Sequence, residues 1–177
     1  MMKKFNFSKI LILFFFISCS SSNSDEETLI EIKTQIVEKK WEYTLPIVSN
    51  GSFSSDLSYD LTENSDLALI LPRITKVEIV SINILIKEFS GETGNAEIIL
   101  DRPSDELSSI TISNLVDSVG KTISFDISDE QKASLSNEVL STKALNLVAN
   151  GSLNNISPLP SLISFEIILF FTLTYEA

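Results

Sequence analysis

The residues able to carry chemistry in this chain are carboxylates, a few aromatic rings and one thiol. There is no histidine among the 177 residues, and Cys19 is the single cysteine. Histidine-dependent nucleophiles, imidazole general bases and imidazole metal ligands are therefore excluded at the outset. Five acids fall in stretches that alternate like strands: Asp56, Asp60, Glu78, Glu88 and Glu166. Two facing carboxylates are all that glycoside hydrolysis requires. Glu166 interrupts the most apolar stretch of the chain, where burial would raise its pKa. The simpler reading puts it on the half-exposed face of a strand, and no enzyme is expected. Asp101, Asp105 and Glu106, or Asp126, Asp129 and Glu130, would offer oxygen ligands to calcium, but neither set has EF-hand spacing. No metal and no cofactor are expected. No glycine-rich phosphate loop is present. Trp41, Tyr43 and Tyr59 offer ring faces on which a sugar or peptide would stack, although period-two spacing suits a core role as well.

The elements that must position these residues read by twos rather than by 3.6. Ile30, Ile32 and Ile36 alternate with Glu31, Lys33 and Gln35, a helix over 28–40 being the rival reading because Glu, Lys and Gln favour helix, and after Lys39-Lys40 the aromatic face of Trp41, Tyr43 and Leu45 takes over. Asn50-Gly51 and the stretch from Gly91 to Asn95 are turn signals, each predicting a hairpin. Residues 67–71 form a short apolar segment. Between Lys76 and Phe89 the apolar residues change parity, Val77 and Ile79 first and Val80, Ile82, Ile84 and Ile86 after, which predicts a β-bulge near Val80. Residues 110–119 are ambiguous, and 121–127 and 143–149 read as strands. Ser128 and Gln131 form a capping box that opens one helix, with Leu135, Val139 and Leu140 on its apolar face. Asn150-Gly151 signals another turn, and 154–160 a loop. In the last stretch Ile163, Phe165, Ile167, Leu169, Phe171, Leu173 and Tyr175 share one face, as in a strand central to a sheet. About eight strands, one short helix and no βαβ alternation predict a mainly β protein, an antiparallel β-sandwich over residues 29–177.

The beginning of the chain carries an address. Lys3, Lys4 and Lys9 precede an eight-residue apolar run, Ile10 to Ile17. A membrane-spanning helix needs about 20 apolar residues, so the run fits a secretory signal instead. Phe16-Ile17-Ser18-Cys19 resembles the lipobox of bacterial lipoproteins. The resemblance implies that residues 1–18 are removed and that Cys19 is lipidated, with Phe16 standing where that family usually has Leu. Residues 19–28 are polar and acidic, a flexible tether. Asp25-Glu26-Glu27 resembles the surface-export signal of lipoproteins from Bacteroidota-type bacteria. Ser20 after the cysteine implies, by the same analogy, the outer membrane. Asp117-Ser118-Val119 resembles the three-residue O-glycosylation acceptor of that group, which would place a glycan on Ser118.

Without residues 1–18 the chain has ten basic and 24 acidic residues, a net charge of −14. That balance argues against nucleic acid and against docking on anionic headgroups through the protein surface. The expected function is a lipid-anchored envelope protein acting as a non-enzymatic interaction or accessory module. It would bind the membrane through Cys19 and an envelope protein or glycan through its domain. The alternative is a carbohydrate- or peptide-binding module of an outer-membrane uptake system.

Overall fold

The computed structural model describes residues 30–103 and 105–177. The signal peptide, Cys19 and the tether expected from the sequence lie outside the described residues.

Eight strands follow in order: β1 (Ile32–Ile47), β2 (Gly51–Asp60), β3 (Ile74–Phe89), β4 (Thr93–Arg102), β5 (Asp105–Ile112), β6 (Thr122–Ser124), β7 (Ala144–Ser157) and β8 (Ser161–Glu176). Two helices interrupt them, α1 (Leu115–Ser118) and α2 (Asp129–Thr142). The strands make two four-stranded antiparallel sheets, ordered β1-β8-β3-β6 and β2-β7-β4-β5. The first strand pairs with the last, the second with the seventh, the third with the sixth and the fourth with the fifth. This nested pairing across two packed sheets is the jelly-roll form of the β-sandwich. The sandwich expected from the sequence is present, but the two expected hairpins are not. The turns at Asn50-Gly51 and at 90–92 carry the chain from one sheet to the other.

β8 lies between β1 and β3 and supplies the centre of the core. Ile163, Phe165, Ile167, Leu169, Phe171 and Leu173 are all buried, while Tyr175 is half-buried at the end. Opposite them stand Leu57 of β2, Leu145, Leu147 and Ala149 of β7, and Ile98 and Leu100 of β4, also buried. The bulge expected near Val80 is found: the β3–β8 register shifts between Ile79 and Ser81. It lets Val77 and Ile79 before it, and Ile82, Ile84 and Ile86 after it, face inward, while Val80, expected with the second set, is left outside at 51% exposed.

β1 corrects the expectation for its first half. The strand runs unbroken against β8 with no register shift, so one parity holds throughout. Tyr43, Leu45 and Ile47 take the inner face, which obliges Lys33 and Gln35 to share it. Ile32 and Ile36 are left on the outer face, each 54% exposed. The short apolar segment 67–71 forms turns and the start of a short 3₁₀ turn. The strand expected over 121–127 is only Thr122–Ser124, with Phe125 N–H still donating to Ile82 C=O at 2.9 Å.

The capping box of α2 is formed, Gln131 N–H donating to Ser128 Oγ at 3.2 Å and Ser128 N–H to Gln131 Oε1 at 3.0 Å. Its Leu135 and Val139 are buried as expected. Buried Ser136 adds a contact that its residue type did not announce. Its Oγ accepts from the β3 amide of Ile79 at 2.9 Å, so α2 covers the β3 edge that three-residue β6 leaves open.

Asn150-Gly151 is not a turn but the middle of β7, where Gly151 faces Phe53 across the ladder. A Cβ there would meet the Phe53 ring at 2.2 Å. The glycine is needed for close approach rather than for backbone freedom. Gly151→Ala is expected to displace Phe53 from its seat on Phe165 and to cost about 1–3 kcal/mol. An unchanged urea midpoint would show that the ring has room to move.

Candidate functional site

The two sheets meet along one side of the sandwich at their edge strands, β1 and β2. Side chains of β1 there reach the main chain of β2. Trp41 Nε1 donates to Ser58 C=O at 3.1 Å, and Tyr43 Oη to Asp56 C=O at 3.2 Å. Tyr43 also stacks on Phe165 with ring centroids 5.3 Å apart. Burial raises the Tyr43 hydroxyl above its ordinary pKa. Trp41 and Tyr43, singled out as ring platforms, are thus half-buried on the inner face and join the sheets.

Beyond Trp41 the edges separate and a cleft of about 760 Å³ opens. It runs between Gln35–Lys39 of β1, Ser58–Asp60 of β2 and the loop from Glu63 to Leu67. Tyr59, the third predicted aromatic, lines it. Its ring packs edge-on against Phe171 at 6.0 Å and its Oη accepts from Asn64 Nδ2 at 3.0 Å. Burial raises its pKa, against the Asn64 hydrogen bond. The Lys39 ammonium sits over both rings at the mouth, 5.1 Å from the Tyr59 centroid and 5.8 Å from that of Trp41. Asp60 accepts from the Thr62 hydroxyl and amide, which lower its pKa. Four carboxylates, Glu38, Asp60, Glu63 and Asp66, and one ammonium, Lys39, line the cleft, and Lys40 Nζ pairs with Glu38 at 2.8 Å from outside the lining.

Sequence reasoning passed over Lys39, Asn64 and Asp66. Lys39 stands two residues before Trp41, so the period-two rule alone would have put it on the same face. Asn64 and Asp66 lie in a loop, where spacing carries no face information.

The other predicted carboxylates do not converge. Asp56 is exposed on β2, and Glu78 and Glu88 are exposed on β3, with Lys76 Nζ 2.8 Å from Glu78. Glu166 is 6% exposed on the outer face of β8, where Lys87 Nζ donates to its Oε1 at 2.7 Å. Burial pushes its carboxyl up, but Lys87, with Glu42 and Lys40 nearby, holds it below the ordinary value. The rise expected from burial alone is therefore overridden. Glu42 is its cross-strand neighbour, 3.6 Å from the same ammonium, so a lysine stands between these two acids. Asp101 accepts from Asn150 Nδ2 at 2.7 Å, and Asp105 pairs with Arg102. Among the described residues no three acids gather to hold a metal ion. The Ser118 hydroxyl is half-buried at the end of α1 and donates to Asn114 C=O at 2.6 Å.

Fold and site together define a jelly roll with an acidic, aromatic-floored cleft at the open side of the sandwich. No protein-family model and no curated protein matches the chain. Among solved structures it is similar to one from tobacco necrosis virus, at 14% identity and TM-score 0.40, over 82% of this chain and 97% of that one. It is also similar to one from desmodium yellow mottle tymovirus, at 13% identity and TM-score 0.34, over 97% of each chain.

Proposed function

We propose that this is a lipid-anchored envelope protein whose jelly roll is a non-enzymatic interaction module. The observation that carries the proposal is the lone cysteine, Cys19, placed directly after an eight-residue apolar run and Ser18. Acylated there, the chain would hold to the outer membrane without a spanning helix. Two or more acyl chains suffice for stable anchoring, at roughly 0.8 kcal/mol per buried CH₂. Residues 20–28 would tether the domain at the surface. Its net negative charge would keep it off anionic headgroups. The cleft beside Tyr59 favours a second reading, a peptide- or carbohydrate-binding module of an uptake system.

Cys19→Ala, followed by cell fractionation and protease treatment of intact cells, tests the anchor. Wild type is expected in the outer-membrane fraction and cleaved from outside; the variant is expected to leave that fraction. A variant that fractionates like wild type would refute lipid anchoring. Protection of membrane-bound wild type from external protease would move the domain to the periplasmic face.

A further inference from the structure

The cleft has a feature that neither its charge nor its rings supply: one wall is an unpaired strand edge. Ala177 N–H donates to Glu31 C=O at 2.8 Å, and the β1–β8 register continues from Ile32↔Glu176 without a shift. Odd-numbered residues of β1 therefore bond to β8. Even-numbered ones direct N–H and C=O the other way. Pro46, which has no N–H to offer, is even-numbered and sits where an edge strand tolerates it. Among the described residues no strand pairs with this edge. Trp41 and Tyr43 close the gap to β2 along the second half of β1. The edge is thus open at Ile36 and Glu38, inside the cleft.

We infer that the cleft takes an extended basic peptide, added as a strand alongside Ile36 and Glu38 of β1. This deepens the interaction-module reading and rests on it. Three observations converge. The volume, about 760 Å³, lies in the range of ligand sites, roughly 300–1,000 Å³. The main-chain groups of Ile36 and Glu38 supply the ladder bonds that such binding uses. The lining carries four carboxylates, and an ammonium already occupies the ring faces of Tyr59 and Trp41. A lysine or arginine of the incoming strand takes that seat when Lys39 swings out to solvent. Alternate side chains of a strand share a face, so basic residues at every second position would meet Glu63 and Asp66 together. A second copy of this chain, with its strong net negative charge, is the wrong partner for the same wall.

The test uses the full chain in detergent and a fluorescent Lys-Val-Lys-Val-Lys-Val peptide. Comparison probes are the Glu-Val counterpart, the same basic peptide N-methylated at alternate amides, and spermine. The basic peptide is expected to bind, with at least about tenfold loss on N-methylation and no binding of the acidic peptide. Glu63→Lys with Asp66→Lys, both exposed and outside the core, should weaken binding by at least about tenfold at unchanged melting temperature. Glu97→Lys on the outer face of β4 should leave it unchanged. Equal binding of spermine and of the N-methylated peptide would overturn strand addition, since the cleft would then read charge alone. Binding of none of the probes would overturn the proposal outright, while fractionation of Cys19→Ala would still judge the anchor separately.

Discussion

Phe165→Ala is expected to destabilise the protein by about 3–5 kcal/mol, the usual cost of emptying a buried phenylalanine site. Phe165 is 1% exposed in the first half of β8. Its ring is the seat for two others, Tyr43 from β1 at 5.3 Å and Phe53 from β2 at 5.5 Å. Those strands belong to different sheets, so one side chain ties both edges to the centre. A domain of this kind holds about 5–15 kcal/mol in all, which makes the loss a large share of the total. Urea unfolding should show a lower midpoint with an unchanged slope. Ser164→Ala, on the opposite face of the same strand, is the control; it removes only the Thr44–Ser164 hydroxyl contact at 3.2 Å and should stay within about 0.5 kcal/mol. A loss below about 1 kcal/mol for Phe165→Ala would mean that the neighbouring rings collapse into the space.

Lys87→Met is expected to reverse the pH dependence that Glu166 contributes. In the wild type burial pushes the Glu166 carboxyl up, but Lys87, with Glu42 and Lys40, together hold it below its ordinary pKa. A carboxyl whose folded pKa lies below its unfolded value stabilises the fold above that unfolded value. The contribution disappears as pH falls through the folded pKa. Stability from this site therefore rises with pH up to the ordinary glutamate value of about 4.3 and then levels off. With Met at position 87 the largest influence opposing burial is gone, and only Lys40 and the Glu42 contact still favour the carboxylate. The folded pKa then lies above the unfolded one. Stability is fully present below about pH 4.3 and falls as pH rises through the new folded value. Urea midpoints of wild type, Lys87→Met and Glu166→Gln from about pH 2.5 to about pH 7, at intervals on the order of half a pH unit, would resolve the slopes. Glu166→Gln should be the flat reference. A Lys87→Met curve parallel to wild type would show that Lys40 or solvent already compensates the carboxylate.

The parts of this fold legible in the sequence are those where one residue type outweighs its neighbours. Seven apolar residues at period two left β8 no choice of face, and the parity change at Val80 could be satisfied only by an extra residue. The capping box of α2 is local chemistry between Ser128 and Gln131 and needs no tertiary information. Ile32 and Ile36 misled because their preference is decided elsewhere on the same strand, by the larger side chains from Trp41 to Ile47. The turns at Asn50-Gly51 and after Phe89 were recognisable as reversals, but whether a reversal closes a hairpin or crosses to another sheet depends on which strand offers the better partner. For β1 and β2 those partners are β8 and β7, more than eighty residues away. Of the cleft, Tyr59 was visible as a ring with a polar tip. Lys39 was not, because a lysine beside a lysine reads as solvent-exposed until its neighbour's face is known.

Nested pairing also imposes an order in time. β1 is synthesised first, yet its ladder partner β8 is the last strand of the chain, with Ile32 opposite Glu176. No early hairpin can shelter it, since neither of the turns that follow β1 and β3 pairs the strands it joins. Contacts this distant in sequence make folding slow. A nascent chain therefore carries the exposed edge of β1 unprotected until residue 161 and beyond have emerged. The one pair of consecutive strands that can form at once is β4 with β5, in the middle of the nest, which makes the innermost turn the natural starting point for folding and β1–β8 its closing step.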